Sequence, residues 1–130
     1  MAKLKLPLEK NHPLVKWANQ IQEFYGYNVM LVGSQITGSE SPRDVDIVCA
    51  IPDREFELRY GSVNDWVEQG KTGLWTEIRW KWANDCIKKS SDIIKSTGIQ
   101  IDFKVQPMMV FNKYKHIHKQ FPPHKLNINL

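Results

Sequence analysis

The chain reads as an α+β domain, a small mixed β-sheet with helices packed on one face. Three segments carry that reading. "HPLVKWANQIQEFYGY" sets Leu14, Trp17, Ala18, Ile21, Phe24 and Tyr25 at spacings of three and four, which is one face of an amphipathic helix. "LWTEIRWKWANDCIKKSSDIIKSTG" returns to that period, with Trp75, Ile78, Trp82, Cys86, Ile87 and Ile94 near one stripe. "IQIDFKVQP" alternates strictly instead. Ile99, Ile101, Phe103 and Val105 fall on one face and Gln100, Asp102, Lys104 and Gln106 on the other, the pattern of a half-buried strand.

The remaining elements fit between these. Pro13 suits the first turn of the first helix and Gly26 its exit. "NVMLVG" is short, apolar and β-branched, bounded by Asn28 and Gly33, and reads as a buried strand. A glycine-rich loop leads into "DVDIVCAI", a second strand ended by Pro52. Across 53–73, Gly61, Gly70 and Gly73 interrupt any clean period, so loops with a short helix around 62–69 are expected. Gly98 stops the long helix. Residues 107–130 hold Pro107, Pro122 and Pro123 among lysines and histidines, and read as a largely irregular basic tail with a short helix near 109–119. No internal repeat or low-complexity segment divides the chain, so residues 1–130 are read as one domain.

Composition narrows the class. At 130 residues, 42% apolar and 25% charged, the chain can bury a real core. Net charge is +4 and the isoelectric point about 9.1, which suits anionic partners. The two cysteines, Cys49 and Cys86, cannot build a disulfide framework and read as reduced core residues. "MAKLKLPLEKNHP" has no apolar core of signal-peptide length, and no segment is apolar for long enough to span a bilayer. The expectation is a soluble cytoplasmic protein without a membrane partner.

The chemistry concentrates in residues 33–48, "GSQITGSESPRDVDIV". On a strand, residues i and i+2 point to the same side, so Asp44 and Asp46 project together from the start of the second strand. Asp102 lies on the polar face of the third. If those strands pair, the three carboxylates converge, and such anions repel unless a cation neutralises them. Oxygen-only ligands select hard ions such as Mg²⁺ or Mn²⁺. Two such ions ~3.5–4 Å apart can clamp an in-line phosphoryl displacement. Upstream, Gly33 allows a sharp turn whose following amides can face phosphate oxygens, Ser34 adds a hydroxyl, and Gly38 permits another close backbone approach. Lys104 shares the face of Asp102 and is the best placed of the basic side chains to meet a phosphate.

Gly-Ser, three residues, Gly, a spacer, Asp-x-Asp and a distant strand Asp together resemble the nucleotidyltransferase superfamily of the DNA polymerase β type, in its minimal single-domain form. The resemblance covers roughly residues 12–106. It implies a polymerase β palm-like fold and transfer of a nucleoside monophosphate from an NTP to an acceptor hydroxyl, with release of pyrophosphate. Residue by residue, it implies that Gly33 and Ser34 contact the triphosphate, that Asp44 and Asp46 hold two Mg²⁺ or Mn²⁺ ions, and that Asp102 binds the ion at the attacking hydroxyl. The chain departs from the pattern at Arg43, where many members carry Ser or Thr, in the short spacer from Gly38 to Asp44, and in "QIT" after Ser34, which lacks an arginine. These departures keep open an alternative, a catalytically inactive module of the same fold that binds nucleotide, RNA or a protein partner.

So short a chain leaves little room for a nucleic-acid grip. The expected acceptor is a protein side chain, an RNA end or a small molecule, with a helical partner protein or a second copy of the chain as candidate partners. Elsewhere structural readings prevail. The tryptophans are expected in the core, apart from Trp80, which lies off the apolar stripe and invites base stacking. His116 and His118 are read as surface residues. Arg54, Arg59, Arg79 and Lys81 are read as solvated charges. Lys113, Lys115, Lys119 and Lys125 give the tail its positive character.

Overall fold

A computed structural model describes residues 4–36 and 44–128, with Ser34 described by its backbone alone. The expectations placed on Gly38, Arg43 and the Ser34 hydroxyl lie outside the described residues. Among the described residues the architecture is α+β, a mixed four-stranded sheet with six α-helices.

Helix α1 (Pro13–Tyr25) starts where expected, with the His12 ring accepting from Leu14 N–H and Pro13 in the first turn. Gly26, at φ 86°, ends it in a left-handed turn. Its inner face is Leu14, Trp17, Ala18, Ile21 and Tyr25, whereas Phe24 is half exposed. The Phe24 ring instead carries two cations on its face, Arg59 at 5.0 Å and Lys89 at 3.9 Å.

Strand β1 (Val29–Val32) passes through a 3-10 turn (Gly33–Gln35), and β2 (Val45–Ile51) returns antiparallel to it. Strand β3 (Ile101–Pro107) lies parallel to β2. Parallel neighbours need a long crossover, supplied by α2 (Asp53–Arg59), α3 (Val63–Thr72) and α4 (Glu77–Thr97). Helix α2 falls where loops were expected. Its charged surface hid two anchors, Phe56 within the helix and Tyr60 just after it, which pack with Trp66 in the core. Helix α3 runs through Gly70, against which the Arg79 guanidinium packs. Arg79 lies over Trp66 and Trp82 at 4.3 and 4.7 Å and donates to Trp66 C=O at 2.9 Å, a structural role rather than a solvated one.

Along α4 the buried stripe is Trp82, Cys86, Ser90 and Ile93. Ile87 is exposed and Trp75 precedes the helix, two departures from the expected stripe. Trp82 donates from its indole to Val105 C=O at 2.7 Å, tying α4 to β3. The alternating residues Val45, Ile47, Cys49 and Ile51 of β2 and Ile101, Phe103 and Val105 of β3 meet α1 and α4 in one core. Burial pushes both cysteine thiols up to about 12, which makes them inert packing groups, as expected.

The C-terminal segment departs most from expectation. It forms α5 (Met108–Asn112), α6 (Lys115–Gln120) and an edge strand β4 (His124–Lys125), which pairs antiparallel with β1. The sheet order is β3-β2-β1-β4. Leu126 is buried and Asn127 accepts from Val29 N–H at 2.7 Å through its side chain. The sheet is therefore not covered on one face alone. Helices α1 to α4 take the core face, and residues of α5 and α6 close over Val32 and Val48 on the other. The physical reason is that those valines make the second face partly apolar, so it too demands cover.

Asn127→Ala tests this ordering of the tail. It strands the buried Val29 N–H and is expected to cost about 1–3 kcal/mol in urea unfolding; an irregular tail would show no change. Among the described residues no helix is long and apolar enough to cross a membrane.

A second polar device locks α1, α2 and α4 together. Tyr60 donates to Asp85 at 2.6 Å, and the Tyr25 hydroxyl lies 3.0 Å from that of Tyr60. Burial alone would raise the Asp85 pKa, but the Tyr60 hydrogen bond, the charge and hydrogen bond of Lys89 and the Tyr25 hydrogen bond together outweigh it and hold the carboxyl below its ordinary value. A depressed folded pKa means stabilisation that is present above the unfolded value and lost as pH falls through the folded one. Asp85→Asn should thus lower stability at neutral pH, and its difference from wild type should shrink as pH drops below about 4. Urea titrations at neutral and acidic pH measure the two differences.

Candidate active site

The outer face of the sheet carries the polar residues of the alternation. Met30 and Val32 of β1, Asp46, Val48 and Ala50 of β2, and Asp102, Lys104 and Gln106 of β3 share it, opposite the buried set. Register then decides which of them meet. Asp46 pairs with Val32 on one side and directly with Asp102 on the other. Neighbouring strands lie about 4.8 Å apart, so the two carboxylates stand side by side. Asp44, exposed on the bend before β2, lies two residues from Asp46 at the same end of the strand.

The electrostatics follow from this crowding. Partial burial raises the Asp46 pKa, Asp102 raises it further, Lys104 opposes, and Asp44 adds to the rise. Lys104 Nζ is 3.5 Å from Asp102 Oδ2, with both side chains nearly half exposed, 46% and 43%. An ion pair that wet contributes little to stability. It does place a cation against the carboxylate pair, as the alternation of β3 suggested.

Gly33 completes the group. It follows Val32 directly, takes a φ of 74°, and opens the 3-10 turn closed by Ile36 N–H to Gly33 C=O at 2.9 Å. A Cβ built at Gly33 would run into the Asp46 carboxylate oxygen. Two requirements thus coincide at one residue, the left-handed backbone and the close approach of a carboxylate, and only glycine meets both. Gln35, at the end of the turn, is buried, and its carbonyl oxygen accepts from Leu4 N–H at 2.8 Å, fastening the N-terminal segment beneath the turn.

The site residues expected from the sequence are therefore brought together as Gly33, Asp46, Asp102 and Lys104, with Asp44 at the margin. Among the described residues no three His, Cys, Asp or Glu side chains close into a metal-binding group. What the arrangement offers is an oxygen-only pair, Asp46 and Asp102, whose mutual repulsion a hard cation would relieve. Trp80 is not part of it. It sits exposed on α4, the helix packed on the core face, in a groove with Arg59, Lys81 and Asp85. Arg59 donates to Phe24 C=O at 3.3 Å and lies over the rings of Phe24 and Tyr25, a structural role.

No family model matches this chain, and no curated protein or solved structure matches it either. Beside the carboxylates lies a feature the sequence reading passed over, a cavity of about 270 Å³ between the outer sheet face and the two C-terminal helices. A signal for it was present. Phe111, Tyr114, Ile117, His118 and Phe121 recur at three- and four-residue spacing, but Pro107, Pro122 and Pro123 and the surrounding lysines made the segment look like a tail.

Proposed function

We propose that this protein is a metal-dependent nucleotidyltransferase that moves a nucleoside monophosphate from an NTP to an acceptor hydroxyl, releasing pyrophosphate. One observation carries the reading: Asp46 and Asp102 are register partners on parallel strands while the positive-φ Gly33 backs onto the Asp46 carboxylate. The order of helix, strand, glycine turn, strand, helices and strand is compatible with a polymerase β palm-like fold.

The donor set suits a hard ion. Asp46 and Asp102, with Asp44, would hold Mg²⁺ or Mn²⁺, and the bound ions would supply charge neutralisation for an in-line displacement at the α-phosphorus. The chain's own residues do the positioning. The Gly33 turn lets backbone amides approach the phosphates without a side chain between. Asp102, on the edge strand β3, orients the acceptor hydroxyl and takes its proton as the new oxygen–phosphorus bond forms. The bond from the α-phosphorus to the bridging oxygen breaks, and pyrophosphate leaves. Lys104 offsets the charge beside Asp102. Catalysis of this kind is placement and charge compensation, with no covalent work for the protein. The acceptor is a protein side chain, an RNA end or a small molecule.

One observation favours a second reading, an inactive module that binds nucleotide, RNA or a protein. Lys104 already stands against Asp102, so part of the carboxylate charge has a counter-ion from the chain itself. Calorimetric titration of NTP with and without Mg²⁺, paired with transfer of label from NTP over a panel of acceptors, separates the two. Mg²⁺-dependent binding with labelled product is the expected result. Binding with no product across the panel supports the module, and binding indifferent to Mg²⁺ overturns the metal site.

A further inference from the structure

The cavity lies farther along the sheet face that carries the carboxylates, and Gly33 belongs to both. Its floor is Val32 and Val48, and Val48 is the next residue after Asp46 on the same face of β2. Gln106 lines it two residues beyond Lys104 on β3, and Gly33 lines it from the end of β1. With about 3.3 Å of rise per residue, Val48 lies about 7 Å along the strand from Asp46, a distance that a ribose can bridge.

The opposite wall is aromatic. The rings of Phe111 and His118 are 4.3 Å apart and inclined by 30°, close to stacked, and Tyr114 lies 6.4 Å from His118. Ile117 and Phe121 complete that side. Burial, with His116 nearby, lowers the His118 pKa from its ordinary value. The volume of about 270 Å³ falls just under the roughly 300–1,000 Å³ of small-molecule pockets and fits one ring system better than a whole nucleotide. Polar side-chain groups are few, the Gln106 carboxamide, the His118 imidazole and the Tyr114 hydroxyl, each able to donate and to accept.

A ligand spanning both parts must carry a polyanion at one end and a flat apolar ring at the other. We infer that this cavity is the base-binding slot of the nucleotide, with the base between the Val32–Val48 floor and the aromatic wall and its edge facing Gln106 and His118. The inference rests on the nucleotidyltransferase reading for the triphosphate alone; the slot itself is argued from its lining. Stacking of this kind tolerates any of the four bases, because every base offers a π-face.

The test compares NTPs, inorganic tripolyphosphate and unphosphorylated nucleosides by calorimetry in Mg²⁺ buffer, using the full chain. Two variants alter the slot, Phe111→Ala, which removes stacking surface, and Ile117→Trp, which fills the space from a position 40% exposed and so tolerant of size. Wild type should bind an NTP at least about tenfold more tightly than tripolyphosphate, and either variant should remove most of that advantage while leaving tripolyphosphate affinity unchanged. Asp46→Asn should weaken both triphosphate ligands and spare nucleoside binding. If the triphosphate chemistry fails, nucleoside binding that the two slot variants abolish still upholds the slot. Equal affinity of wild type for NTP and tripolyphosphate, or variants that lose transfer while NTP binding is intact, overturns it; the latter result would assign the cavity to the acceptor.

Discussion

Asp46→Asn is expected to lower nucleotidyl transfer by roughly a thousandfold or more, the loss of several kcal/mol of charge stabilisation, while the fold survives. The two halves of this expectation have separate causes. Asparagine keeps the shape of the side chain but halves its ligating oxygens and removes its charge, so a divalent ion loses its most enclosed carboxylate. For the same reason the metal-free protein should be no less stable. Asp46 is pressed against Asp102 and near Asp44, and burial already works against its charge. Neutralising it removes repulsion, so the thermal midpoint should match or exceed that of wild type. Transfer at the wild-type rate in the folded variant would sink the assignment. An inactive variant with unchanged NTP affinity in Mg²⁺ would show that Asp46 serves the reaction without holding the ion.

Gly33→Val should damage both stability and activity, and the damage to activity should be the greater. At φ 74° a β-branched side chain meets a backbone conformation it rarely adopts. Its Cβ also runs into the Asp46 carboxylate, so something must shift. The backbone cost alone is about 1–3 kcal/mol, measurable as a lowered urea midpoint. The shift of Asp46 costs more in function, because a displacement of about 1 Å at a catalytic group can reduce rates a hundredfold. Gly33→Ala separates the effects by carrying the same collision with less strain. A Gly33→Ala protein that is folded and transfers label normally would mean that neither the turn nor its contact with Asp46 matters to the chemistry.

How far the sequence could be read differs by element, and the differences have physical causes. Residues 99–107 alternate without exception, so β3 and the outward placement of Asp102 and Lys104 were legible at once. Period alone also located α1, with a proline at its start and a left-handed glycine at its end. Helix α2 was hidden because only Phe56, with Tyr60 just past its end, reaches the core, too few to set a period. The stripe of α4 was misplaced by its isoleucines. Ile87 looks like core on a helical projection, yet it is exposed, and the buried place belongs to Ser90, whose hydroxyl is satisfied by Cys86 C=O at 3.1 Å. A small polar residue can occupy a core position when its own helix supplies the acceptor, and hydropathy cannot anticipate that. The C-terminal segment failed for another reason. Its anchors, Leu126 and Asn127, act through partners about a hundred residues away, Val29 and Asn28, and no local pattern encodes a partner that distant.

The candidate site divides along the same line. From sequence alone come the residue types and their local directions: a glycine where the chain must turn sharply, Asp44 and Asp46 projecting together from a strand, Asp102 and Lys104 on the polar face of another. These depend only on the two-residue period of extended backbone and on the missing Cβ of glycine. Tertiary structure alone decided that β3 lies parallel to β2 with Asp102 opposite Asp46, that Gly33 closes against the Asp46 carboxylate, and that α5 and α6 fold over the same face to leave an aromatic-walled cavity. Pairing register is a long-range choice, settled by how the buried faces of β2 and β3 fit against α1 and α4, and a slip of β3 by one residue would have turned Asp102 to the other side of the sheet from Asp46.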